Sequence, residues 1–210
     1  MAITNGYCTL AEFKAFAIPQ ANADLTDDEV LEGLIEAASR TIDRESGRQF
    51  YATGTIAAPS SRYFSVPGGN NTRQLWLDDD LQSIAATGVV NGDGDLITST
   101  YYYLLPRNDT PKYAIVLKQS SSYYWASDDD GNSEYIIEVP GIWGYCATGS
   151  HPDDIREACM MIALSSYMRR HGQNLSERSI VTAAGVVVTP EDIPARAWNI
   201  IKNYKRIAMA

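Results

Sequence analysis

Carboxylates and histidines are the residues in this 210-residue chain whose types and spacing could do chemistry. Asp78-Asp79-Asp80 offers three acids in a row, as half of a divalent-cation site would. Oxygen-ligand sites need carboxylates converging from several segments or a defined loop, and the triplet is equally satisfied as a turn ending the strand Gln74–Leu77. Asn91–Asp95 and Asp128–Asn132 have the look of calcium loops. The calcium-loop pattern demands Gly at position six, where these runs carry Leu96 and Ser133, so both read as hairpin turns. His151 and His171 are the only histidines. They fall near opposite ends of one expected helix, about 30 Å apart, and cannot share a metal or a proton relay within one chain.

Nucleophile and nucleotide signatures are missing as well. The chain contains no G-x-S-x-G, H-E-x-x-H, GxxxxGK[ST] or GxGxxG motif. Cys8, Cys146 and Cys159 are widely spaced and odd in number, which fits a reducing compartment, and Cys159 reads as a small core residue of an apolar helix. No enzyme activity and no cofactor are expected. The competing reading is a small metal- or ligand-binding enzyme domain, with Asp78–Asp80 and the tyrosines lining a pocket.

The elements that would carry these residues fall into three stretches. Thr9-Leu10-Ala11-Glu12 has the form of a capping box and opens a helix to about Ala17. Thr26-Asp27-Asp28-Glu29 repeats the signal; Val30, Leu31, Leu34, Ile35, Ala38 and Ile42 then recur at helical spacing on one face, and Gly47 is a natural stop, so a helix is expected over about 27–46. From Phe50 to about Tyr145, short β-branched and aromatic runs alternate with turn residues. The expected strands are Arg62–Val66, Gln74–Leu77, Ile84–Val90, Tyr101–Leu105, Tyr113–Leu117 and Glu134–Val139, in a small antiparallel sheet or barrel. Tyr101–Tyr103 and Tyr123–Trp125 would set aromatic rings on both faces of strands.

Helices return at His151, with Pro152 at the first helical position and Asp153 and Asp154 at the positive end of the dipole. Ile155 to Met168 is apolar nearly all round, as in a helix covered on more than one side. Ile180–Val188, with Gly185 inside, reads as an exposed β-arm. Thr189–Asp192 caps a last helix carrying Ile193, Ala197, Ile200, Ile201 and Tyr204, with Pro194 in its first turn. The fold class is therefore α+β: two N-terminal helices (1–49), an antiparallel β insertion (50–148), and two C-terminal helices (149–210) with an arm at about 179–188, all within one subunit.

Composition narrows the partners. The net charge is −9, with 20 acids and 9 bases in residues 1–150 against 6 acids and 8 bases in 151–210. Phosphate binding draws on Lys and Arg, so an acidic body disfavours wrapping nucleic acid. No apolar run reaches the roughly 18 residues of a membrane span, and the N-terminus lacks the pattern of a signal peptide. The excess of Tyr and Trp (13 and 4) over Phe (4) points to protein–protein contact.

Several phrases, in order, resemble the head–tail connector (adaptor or head-completion) proteins of tailed bacteriophages and gene transfer agents. They are Tyr7–Lys14, Leu34–Asp43 followed by Gly47–Phe50, Leu77–Ile84, and Val139–Tyr145 followed by Pro152 and an Ala-rich helix. The resemblance implies a helical core interrupted by a β insertion. It implies a ring of identical subunits, commonly twelve, in the virion neck between the portal protein and a tail or tail-completion protein, with DNA passing through unread. It also implies manufacture in the host cytoplasm. Carried onto this chain, Lys202, Tyr204, Lys205 and Arg206 would meet the portal. Ile180, Val181, Val186, Val187 and Val188 would reach a neighbouring subunit.

Overall fold

A computed structural model describes residues 3–17, 25–68, 73–170 and 193–206. These residues fall into two compact units, one drawn from Met1–Gly47 and His151–Ile207 and the other from Arg48–Ser150.

The helical unit contains α1 (Leu10–Ala17), α2 (Leu25–Ser46), α3 (Asp153–Arg170) and α4 (Ala195–Asn203). The capping box at α1 forms as its residue types require. The Glu12 N–H donates to Thr9 Oγ1 (3.2 Å), and the Thr9 N–H donates back to Glu12 Oε2 (2.7 Å). α2 starts at Leu25, so Thr26 lies inside the helix and not at its cap. Gly47 ends it at φ +67°, with its N–H donating to Asp43 O. Leu31, Ile35, Ala38 and Ile42 are buried on one face of α2, against α3, whereas Val30 and Leu34 of the expected stripe are only half-buried.

α3 departs from expectation in two ways. Pro152 precedes the first helical turn, where its carbonyl accepts from the Arg156 N–H (3.1 Å). The buried residues Ile155, Ala158, Cys159, Ile162 and Ala163 form a single stripe, while Met160, Met161, Leu164 and Met168 are half-buried. α1, α2 and α4 pack on α3. α4 has Pro194 as its N-cap and not within its first turn, and it buries Ala197 and Ile201. The expected cap Thr189–Asp192, the arm Ile180–Val188 and His171 lie outside the described residues.

The second unit is a seven-stranded sheet of β1 (Ser60–Phe64), β2 (Gln74–Ile84), β3 (Val89–Val90), β4 (Leu96–Ile97), β5 (Tyr102–Leu105), β6 (Lys112–Leu117) and β7 (Ile137–Trp143). Its pairings are antiparallel, in the order β4-β3-β7-β2-β6-β5, with β1 on β7. The path ends at β4 and β5. The core holds Leu75, Leu81, Ile97, Ile115, Leu117, Ile137, Val139 and Trp143, all nearly inaccessible to water.

Three expectations about this sheet are corrected. The expected strand Ile84–Val90 is interrupted, because a turn closed by the Gly88 N–H on Ala85 O separates β2 from β3. β7 starts later than Glu134 and runs through Pro140 to Trp143. Proline costs it no ladder bond on its acceptor side, since the Pro140 carbonyl accepts from the Ala85 N–H (2.7 Å). Tyr123–Trp125 is not a strand. The Arg73 guanidinium takes the carbonyls of Lys118 (2.8 Å), Ser121 and Tyr123 (3.4 Å), which satisfies that backbone without a ladder partner.

Candidate assembly surface

Two of the three acids that could have made a metal site are paired with arginines. β2 runs straight through Asp78-Asp79-Asp80, which therefore do not end a strand; its register shifts between Trp76 and Leu81. Asp80 is buried, and Arg48 Nη1 donates to both of its oxygens (2.7 and 2.8 Å). Arg62 pairs with Asp79 (2.6 Å) and lies over the Trp143 ring (4.8 Å). Two of the three carboxylates are thus neutralised by guanidinium groups. The metal-site reading of Asp78–Asp80 loses two of its three donors.

Asn91–Asp95 is the turn of the β3–β4 hairpin, as its residue types predict. Gly94 sits at φ +82°, and the Asn91 N–H donates to Asp95 O (2.9 Å). The Asn91 side chain is buried and holds the aromatic loop, donating to Tyr124 O (3.0 Å) and accepting from the Ala126 N–H (3.2 Å). Asp128–Asn132 also closes a turn, with Gly131 at φ +82°, but the residues flanking it are not paired strands, so it is no hairpin. His151 packs its ring on Tyr7 (centroids 5.0 Å). Among the described residues, no group of three or more His, Cys, Asp or Glu is placed to hold a metal ion.

The aromatics divide between core and surface. Tyr102 and Trp125 are buried, whereas Trp76, Tyr63, Tyr124 and Tyr135 are exposed, the last by 70%. Arg73 lies over Tyr124 (4.3 Å) and Arg107 over Tyr103 (4.7 Å), while Trp76 stacks nearly parallel on Tyr113 (6.0 Å). Ile56, 87% exposed, projects from the loop before β1.

Electrostatics divide the sheet unit in the same way. Its six basic residues are all engaged internally. Arg48 and Arg62 pair with Asp80 and Asp79, Arg73 holds carbonyls, and Arg107 caps Tyr103. Lys112 donates to Pro106 O (2.6 Å), and Lys118 to Thr100 O. Asp78, Asp93, Asp95, Asp109, Asp129, Asp130 and Glu134 remain on the exposed exterior. The outer field of this unit is therefore negative.

The four portal-facing candidates occupy the end of α4 and do not share one environment. Lys202 and Lys205 are exposed, Lys202 lying over the Trp198 ring (5.3 Å). The Tyr204 hydroxyl donates to the Asp154 carboxylate at the start of α3 (2.8 and 2.9 Å). The Arg206 N–H donates to Ser46 O (2.8 Å), satisfying one of the carbonyls left open at the end of α2. The Tyr204 and Arg206 contacts, like Arg48–Asp80, join residues far apart in the chain and leave no local trace in sequence.

No family model matches the chain, and no curated protein matches it. Among solved structures, a chain from the neck of an empty GTA (gene transfer agent) particle, computed with C6 symmetry, matches with a TM-score of 0.60. The match covers 100% of this chain and 95% of the other, at 16% identity. The fold is that of a GTA neck protein. The resemblance carried by the ordered phrases of the sequence is met at this level. The neck-protein fold also accounts for both units at once, since the alignment spans helices and sheet alike.

Proposed function

We propose that the chain is a structural virion protein: a subunit of a neck ring that joins the portal to the tail and lines the path of DNA. The observation that carries this reading is the neck-protein fold over the full length of the chain. The exposed aromatics of the sheet unit and the half-buried methionines of α3 support it, being surfaces that neighbouring subunits would cover. A ring of twelve is a multiple of the six-fold symmetry of the matching neck.

The acidic exterior of the sheet unit suits a wall past which DNA slides without sticking, because like charges repel at short range and bring no counterion release. Lys202, Tyr204, Lys205 and Arg206 are proposed to face the portal, with the two exposed lysines making first contact. Ile180, Val181, Val186, Val187 and Val188 are proposed as the arm to the next subunit.

The test is a pull-down with the portal protein of the same particle, followed by electron microscopy of the mixture. A ring on the portal is expected, and Lys202→Glu/Lys205→Glu is expected to weaken it at least tenfold. A properly folded chain that fails to bind that portal would sink the proposal. A monomer in isolation would not, since assembly on the portal alone gives the same result.

A further inference from the structure

The Sγ atoms of Cys8 and Cys159 lie 3.8 Å from one another although 151 positions separate them in sequence. Both are buried, and neither belongs to the surfaces described above. Cys8 sits in the non-helical segment that precedes α1, and Cys159 on the buried stripe of α3. That segment is also held by the fully buried Tyr7 and by hydrogen bonds to α2. The Tyr7 N–H donates to Ser39 Oγ (3.0 Å), the Tyr7 hydroxyl to Asp43, and Arg40 Nη2 to Asn5 O (2.8 Å).

The two thiols are not equivalent. Cys8 donates toward Cys159, and Ser39 Oγ lies 3.4 Å from Cys159 Sγ. The hydrogen bond from Cys8, with help from Ser39, pulls the Cys159 thiol pKa down against the effect of burial. The same Cys8–Cys159 hydrogen bond, followed by burial, pushes Cys8 up. A thiolate on Cys159 can accept from both Cys8 and Ser39, and the thiolate is the attacking species. Cys146, in the sheet unit, is pushed by burial to about 11 and donates to Phe50 O (3.2 Å).

We propose that Cys8 and Cys159 are an intrachain disulfide site, closed by a small-molecule disulfide when the protein leaves a reducing compartment. In the first step the Cys159 thiolate attacks one sulfur of the small disulfide, forming a mixed disulfide and expelling one thiolate. In the second, Cys8 loses its proton to solvent and attacks Cys159 Sγ, expelling the other thiolate. Two protein thiols lose two electrons; the small disulfide gains them and, with the two protons, leaves as two thiols. Closure needs the sulfurs to approach from 3.8 Å to about 2.05 Å. Because both thiols are buried, reagent enters when the segment before α1 lifts from α2 and α3. Once closed, the bond ties that segment to the centre of the helical unit. The exit from a reducing compartment rests on the neck reading, but the chemistry of the pair does not.

Purified full-length chain is incubated with oxidised glutathione, alkylated, and analysed by intact mass and peptide mapping. The expected result is the loss of two hydrogens, a peptide joining Cys8 to Cys159, and an alkylated Cys146. The thermal midpoint should rise by roughly 5 °C or more and return with dithiothreitol. Cys146→Ser should cross-link as the wild type does, and Cys8→Ser should stop at the reduced form or a glutathione adduct. Recovery of Cys8 and Cys159 both alkylated, or cross-links through Cys146 instead, would overturn the proposal. A chain that oxidises as described yet ignores its portal would overturn the neck reading and leave this site standing.

Discussion

Replacing Arg48 with methionine should leave a buried carboxylate of the sheet unit without its guanidinium. The Asp80 side chain is 3% exposed and accepts two charge-assisted hydrogen bonds from Arg48, whose side chain is 21% exposed. Removing one partner of a buried ion pair costs about 3–5 kcal/mol, most of it the desolvation of the charge left behind. The partial exposure of Arg48 lets some water reach the site, so about 2–4 kcal/mol is expected here. For a unit of this size that corresponds to a fall in thermal midpoint of roughly 10–20 °C. Tryptophan fluorescence in urea follows it well, since Trp76, Trp125 and Trp143 all lie in the sheet unit. Arg48→Met/Asp80→Leu removes both charges and should recover most of the loss, because an apolar pair of similar volume has nothing to desolvate. A loss below about 1 kcal/mol for the single variant would refute the reasoning. A double variant no more stable than the single would refute it equally.

Two further outcomes follow from the geometry. Gly144 has φ +129°, and a Cβ there would lie 2.0 Å from the Tyr51 carbonyl oxygen, so Gly144→Ala should destabilise the sheet unit by more than about 2 kcal/mol in urea unfolding. Burial raises the Asp43 carboxyl above 3.8 against the opposing pull of the Tyr7 hydrogen bond and Arg40, so the folded state holds its proton more tightly than the unfolded one. This group therefore adds stability as pH falls through its folded value toward 3.8, and the addition is lost as pH rises. Comparing wild type with Asp43→Asn by urea midpoints from pH 7 to 4, the wild type should gain on the variant toward acid; a constant difference would refute the assignment.

What could be read from sequence was whatever neighbouring residues settle among themselves. The Thr9–Glu12 capping box, the Leu31–Ile42 stripe, the Gly47 stop and the Asn91–Asp95 turn each depend on residues a few positions apart, so their outcome was already written in residue type and spacing. The order of such signals was enough to mark the α+β class, and the resemblance of the ordered phrases pointed to the neck-protein fold. Tertiary contact decided the rest. Asp78–Asp80 looks like a turn until Arg48 and Arg62 arrive from 32 and 17 positions away to neutralise it inside a strand. Tyr123–Trp125 looks like a strand until Arg73 satisfies its backbone instead. Pro140 looks like a strand end until Ala85 supplies a donor to its carbonyl. In each case a buried polar group takes its partner from a distant segment. Local propensity cannot foresee that choice, because the desolvation of such groups is settled only when the whole unit closes.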